Sequence, residues 1–219
     1  MTALLKIDFV SDVSCPWCAI GLAELVQAQA RLAGVVDARI EFQPFELNPD
    51  MPPAGQDADV HLAEKYGSSP QQMAQVSEQI RRRGAALGFE FRFDRRLRVF
   101  NTLDAHRLLY WTGSGAGRQY ELKRGLLKAY FTDGVDVSDH TQLARVAGEA
   151  GLDADAARDV LDSGRYRVEV RAREKYYRDA GIQAVPSVII AGRHLIQGGQ
   201  PSEVFEQALR TLAATDAER

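Results

Sequence analysis

The sequence is short of cysteine: of its 219 residues only Cys15 and Cys18 carry a thiol. With no second cysteine pair to complete it, a structural zinc site is left half built, and His61, His140 and His194 show no metal-ligand spacing, so no metal is expected. No apolar stretch approaches the roughly 18 residues of a membrane span, and no membrane partner is expected. Met1 to Asp8 lacks the basic-then-apolar layout of a secretory signal, which makes the cytoplasm the default address. In that reducing compartment a cysteine pair is catalytic or redox-sensing rather than a permanent staple. An excess of charge of one sign is missing too. The formal net charge of −3 comes from interleaved acids and bases, which excludes nucleic acid as an electrostatic partner. The one basic run, Arg81-Arg82-Arg83, reads as a solvated helix face. There is no exact internal repeat and no low-complexity linker, so one domain with a large insertion competes with two small ones.

What is present centres on Cys15-Pro16-Trp17-Cys18, placed where a strand pattern, Leu4 to Val10, and a loop, Ser11 to Ser14, give way to a helical pattern. Pro16 suits the first helical position and puts Cys15 near the cap. The two sulfurs lie one turn apart and can close a small disulfide ring. Cys15 faces the unpaired N–H groups of the first turn, whose partial positive charge favours a thiolate, whereas Cys18 lies deeper and gains much less. Cys15 is therefore the attacking sulfur and Cys18 the resolving one. Half a zinc site and a structural disulfide are the alternatives to a redox pair.

The helix after the pair carries Leu22, Leu25, Val26 and Leu32 and stops at Gly34. Ala38 to Phe45 then reads as a second strand, parallel to the first because a helix crosses between them. The middle of the chain is rich in Ala, Gln, Glu and Arg. It predicts helices from Ser69-Pro70 to Gly88, from Asn101-Thr102 onward, and over roughly 118–132, 139–150, 153–161 and 166–180, with Gly134, Gly151, Gly164 and Gly181 at their ends. Strand patterns return at Val185 to Ile190 and His194 to Gln197, and a last helix follows Pro201, with its tail frayed from Asp216 to Arg219. A βαβ start and a ββα finish thus flank an all-helical insertion. That is an α/β, thioredoxin-like architecture, divided as residues 1–48 with 182–219 and a helical insertion over 49–181.

Several segments resemble the DsbA-like thioredoxin-fold oxidoreductases of the FrnE type, relatives of 2-hydroxychromene-2-carboxylate isomerase and the kappa-class glutathione transferases. They are SDVSCPWC (Ser11 to Cys18), FELNPDMP (Phe45 to Pro52), NTLDAHRLL (Asn101 to Leu109), VPS (Val185 to Ser187) and GGQP (Gly198 to Pro201), in the family's order. The resemblance implies a cis Val185-Pro186 peptide facing the cysteines, with the Val185 backbone offered to an extended peptide or glutathione. Without it, a trans proline opening an edge strand would be the reading. Two departures matter. The isomerase and the transferases carry serine where Cys15 stands, so two sulfurs here favour disulfide exchange. Thioredoxin and DsbA carry an acid six positions before the first cysteine, where this chain has Phe9. Proton transfer to Cys18 must then use another group, such as water, while Asp12 reads as a partner for loop N–H groups.

Other candidates each have a plain structural alternative. His106 shares a helix face with Leu103 and Tyr110 and is either a groove residue or a core or capping histidine. Asn101 is a competent cap, and a substrate role for it rests on the resemblance alone. Asn48 is turn chemistry first and a glutathione contact second. Gly199 and Gln200 precede a helix whose N–H groups can bind a carboxylate, or they form an ordinary loop and cap. The reading that follows is a thiol–disulfide oxidoreductase needing no resident cofactor, with a thiol- or disulfide-bearing protein or small molecule, glutathione included, as partner, in a monomer or a homodimer. The alternatives are a glutathione-dependent isomerase or transferase acting on an aromatic small molecule and a non-catalytic peptide-binding or holdase module.

Overall fold

The computed structural model describes residues 4–217. Strand β1 (Leu4–Ser11) buries Leu5, Ile7, Phe9 and Val10 and forms the centre of a four-stranded sheet. Helix α1 (Pro16–Arg31) crosses over to β2 (Asp37–Pro44), which pairs with β1 in parallel from Leu4 opposite Asp37 to Ser11 opposite Pro44. On the other side of β1 lies antiparallel β5 (Ser187–Ile190), followed by β6 (His194–Gln197), giving the order β2-β1-β5-β6. The Val185–Pro186 peptide ahead of β5 is cis, so that strand starts at Ser187 and not at Val185 as the apolar run suggested. Helix α9 (Ser202–Ala217) packs on α1; the expected frayed tail therefore stays helical to Ala217, and its last two residues lie outside the described range.

Between β2 and β5 the chain forms α2 (Ala58–Tyr66), α3 (Pro70–Ala86), α4 (Leu103–Trp111), α5 (Gln119–Lys128), α6 (His140–Glu149), α7 (Ala154–Asp162) and α8 (Arg167–Asp179). Their starts follow from side-chain caps. Ser69 and Gln72 form a reciprocal capping box on α3, and Asp139 and Asp153 accept from the first-turn N–H groups of α6 and α7. Of the expected pair Asn101-Thr102, only Asn101 caps: its Oδ1 accepts from Leu103 N at 3.0 Å, and Thr102 makes no side-chain cap. The helix expected over 118–132 is α5 followed by a π-helical turn, Ala129–Asp133, that Gly134 closes at φ +73°.

Two features were not expected. Helix α2 and the small sheet of β3 (Gln56–Asp57) with β4 (Arg98–Val99) follow Asn48, and Lys65 at the end of α2 donates back to the Leu47 carbonyl and Asn48 Oδ1. Phe91 stacks on Phe93 and lies tilted against Phe89, and Phe91 and Phe93 both meet Phe131 edge-on. The apolar core is continuous from the sheet into the helices, joining Phe9 and Phe42 to Leu108, Leu122 and Phe131. Each such side chain, fully withdrawn from water, contributes roughly 1.5–3 kcal/mol. The core therefore fixes the helical insertion against the sheet end that carries the cysteines.

Candidate active site

Cys15 is the N-cap of α1 and Pro16 opens it, as the spacing requires. Both cysteines are buried free thiols, Cys18 fully and Cys15 with 4 % of the residue exposed. The difference is smaller than an exposed attacking thiol would have suggested. Cys15 Sγ donates to the Val185 carbonyl oxygen at 3.6 Å, which brings the first sulfur against the loop ahead of β5. Burial pushes the Cys18 thiol well above the ordinary thiol range, and the hydrogen bond and charge of Cys15 push the same way. Cys18 is therefore held as the neutral thiol near neutral pH.

The loop before the cysteines is tied down by Asp12, which is fully buried. It accepts from Leu47 N at 2.8 Å, from Ser14 Oγ at 2.9 Å and from Ser14 N at 3.3 Å, and it faces His106 Nε2 at 3.3 Å. Burial pushes its carboxyl up, but the hydrogen bond and charge of His106, the Leu47 N–H and the charge of Lys123 hold it down at about 2. Asp12 thus serves loop N–H groups as anticipated. His106, 1 % exposed, is a core histidine on Asp12 and does not line an open groove.

The remaining expected residues divide. Trp17 is half-buried under Arg83, whose guanidinium lies 5.6 Å from the ring centre. Arg83 also donates to Glu24 at 2.9 Å and to the Gly199 carbonyl at 2.8 Å. Arg81 and Arg82 are exposed and pair with Glu78, so the solvated-face reading holds for them and fails for Arg83. Gly199 lies against the first turn of α1: a Cβ on it would meet the Trp17 carbonyl oxygen at 3.2 Å. The carboxylate at the start of α9 is the protein's own, since Glu24 Oε2 accepts from Ser202 N at 2.9 Å. Gln200 spends its amide on the Gln197 carbonyl. Both therefore follow the loop-and-cap alternative. Asn48 Oδ1 accepts from Lys65 Nζ at 2.6 Å and faces His61 Nε2 at 3.1 Å; Asn101 caps α4 and reaches the Pro49 carbonyl at 3.5 Å.

Sequence reasoning missed three contributors. Burial lowers the pKa of Lys65 and raises that of Tyr66, both in the last turn of α2, and the charge of Cys15 acts on each. Lys123 is fully buried against the Phe42 ring, and burial lowers its pKa against the charges of Cys18, Asp12 and Cys15. Phe9, six positions before Cys15, lies in the core edge-on to Phe42 and offers no proton-carrying group. Among the described residues no group of three or more His, Cys, Asp or Glu could hold a metal, and no helix is long and apolar enough to cross a membrane.

A cysteine pair at a helix start, facing a cis-proline loop, is the arrangement that the family resemblance implied. The family model of the DSBA-like thioredoxin domain matches residues 6–210. The chain belongs to that family. Within it, a probable DsbA oxidoreductase of Streptomyces coelicolor is 32 % identical and superposes with a TM-score of 0.86, covering 96 % of this chain and 90 % of that one. A 2-hydroxychromene-2-carboxylate isomerase shares the fold at a TM-score of 0.70 and 15 % identity, over 97 % of this chain and 98 % of its own. The cytosolic disulfide reductase DsbM of Pseudomonas aeruginosa, solved with GSH, does so at 0.61 and 17 % identity, over 98 % and 100 %. The DsbA-like fold with its helical insertion matches the architecture expected from the sequence.

Proposed function

We propose that the protein is a thiol–disulfide oxidoreductase in which Cys15 attacks and Cys18 resolves. The observation that carries this reading is the different setting of the two sulfurs: Cys15 caps α1, while Cys18 is fully buried with its thiol pushed well up. In the reducing direction Cys15 attacks a partner disulfide R–S–S–R′, forming Cys15–S–S–R and releasing R′–SH with the thiol proton. Cys18 then attacks Cys15 Sγ, the Cys15–Cys18 disulfide forms as the S–S bond between Cys15 and R breaks, and R–SH leaves with the Cys18 proton. Two electrons pass from the cysteine pair to the partner, and the reverse sequence oxidises a dithiol.

Partner backbone can replace the Cys15 thiol at the Val185 carbonyl, which accepts one strand-like hydrogen bond from an extended peptide or from glutathione. The GSH in the solved DsbM structure supports a small thiol as co-substrate, and its cytosolic description supports the same address here. Exchange of this kind requires no metal or organic cofactor. A steady-state assay of model-disulfide reduction by glutathione, run beside one of hydroxychromene isomerisation, tests the reading. Disulfide turnover that disappears in Cys15→Ser is expected. Isomerisation that survives Cys18→Ser, with no disulfide turnover, would replace the reading with the isomerase one, and binding that survives loss of both cysteines would favour a non-catalytic module.

A further inference from the structure

The exchange steps leave one buried group without a task. Lys123 projects from α5 on the apolar face that also carries Leu122, Leu126 and Leu127, and it is fully buried. Its Nζ has no hydrogen-bond partner in the protein and lies 5.9 Å from the centre of the Phe42 ring. Withdrawing an ammonium from water without a hydrogen-bonded partner is costly, and one aromatic face recovers only part of that cost. Such a group is retained where negative charge stands or forms nearby. The acids that Lys123 senses come from separate elements: Cys18 on α1, Asp12 in the loop after β1, and Cys15 at the helix start. Asp12 is one of those charges, held by Lys123 together with its own partners Ser14, Leu47 and His106; the charge that forms in the course of exchange is the one on sulfur.

The strand offers nothing for that purpose, because six positions before Cys15 it carries Phe9, packed edge-on to Phe42. We propose that Lys123 is the buried countercharge of the sulfur pair, holding the negative charge of the Cys18 thiolate while that sulfur attacks the mixed disulfide. This rests on the exchange reading above and names the group that enables its resolving step. The proton of Cys18 ends on the departing thiol, and Lys123 keeps its own, so the step balances with no further reactant. Burial lowers the pKa of Lys123, against the charges of Cys18, Asp12 and Cys15; in return Lys123 is a principal influence pulling Cys18 down against burial and Cys15. Its part is electrostatic, a positioning of charge without contact with substrate.

The test isolates Cys18 in a Cys15→Ser background and follows the NMR shift of its labelled Cβ against pH. Lys123→Met should move the titration upward by about one pH unit or more, and Lys123→Arg should keep it near the parental position. Lys123→Gln serves as the neutral variant if Lys123→Met does not fold. With both cysteines present and glutathione preloaded on Cys15, Lys123→Met should release glutathione about tenfold more slowly at neutral pH. A Cys18 titration that is the same with and without the lysine overturns the proposal. A shifted titration in a protein that exchanges no disulfides would uphold the countercharge and refute the exchange reading, so the two failures are distinguishable.

Discussion

Cys15 Sγ and the carbonyl oxygen of Val185 face each other at 3.6 Å across 170 residues of sequence. The contact ties the start of α1 to the loop ahead of β5, and both sides of it are held from behind. Gly21 of α1 lies under the Pro186 ring, and Gly199 closes against Trp17. The geometry of the cysteine pair therefore depends on packing one to two turns away from it.

Gly21→Ala should disturb that packing. A Cβ at this position would stand 3.0 Å from Pro186 Cγ and 3.4 Å from Gly199 Cα, and Gly199 has little room to yield, since a Cβ on it would already meet the Trp17 carbonyl oxygen at 3.2 Å. The helix gains about 1 kcal/mol from alanine. Overpacking costs about 1–3 kcal/mol. A net loss of about 1 kcal/mol with slower disulfide exchange is expected, measured by urea unfolding and by turnover. A gain in stability with unchanged turnover would contradict the packing described.

Asp12 makes stability depend on acid. Its folded pKa, about 2, lies below the ordinary 3.8. The stability this contributes is fully present above the unfolded value and is lost as pH falls through the folded one, an effect of about 2 kcal/mol. Asp12→Asn should flatten the dependence of the urea midpoint on pH across that acid range. Parallel profiles for parent and variant would show that the hydrogen bonds to Asp12 do not hold its charge.

The buried Arg107 should be the most costly single truncation in the helical insertion. Its side chain is 1 % exposed, donates to Asp104 at 2.7 Å and to the Arg165 carbonyl at 2.6 Å, and also reaches the Val160 and Leu161 carbonyls at the end of α7. Arg107→Met takes the guanidinium from the Arg165 carbonyl and from Asp104, Val160 and Leu161, which keep only His140, Ser163 Oγ and Gly164 N as donors, and a loss of about 3–5 kcal/mol is expected in urea unfolding. A loss below about 1 kcal/mol would mean that α7 is not held through this arginine.

The sequence carried the elements whose pattern repeats. Leu4 to Val10 anticipated β1 to within one residue, and His194 to Gln197 has the extent of β6, because alternating or continuous apolar runs report a half-buried or buried strand. Helix α2 escaped because only Ala58 is buried in it, so no apolar period marks it, and β3 and β4 are two residues each, too short for any alternation. Arg83 looked like its exposed neighbours Arg81 and Arg82; only the tertiary approach of Glu24, Gly199 and Trp17 sets it apart. Lys123 did leave a signal, a charged residue beside Leu122 on the buried stripe of α5, but its relation to Cys18 depends on how α5 packs on β2.

The most direct test of the central claim is mass spectrometry of Cys18→Ser after incubation with oxidised glutathione. With the resolving sulfur removed, Cys15 should carry one glutathione in a stable mixed disulfide, while Cys15→Ser treated alike should carry none on the buried Cys18. An adduct on Cys18 in Cys15→Ser, together with an unmodified Cys15 in Cys18→Ser, would contradict the assignment of attacking and resolving sulfurs.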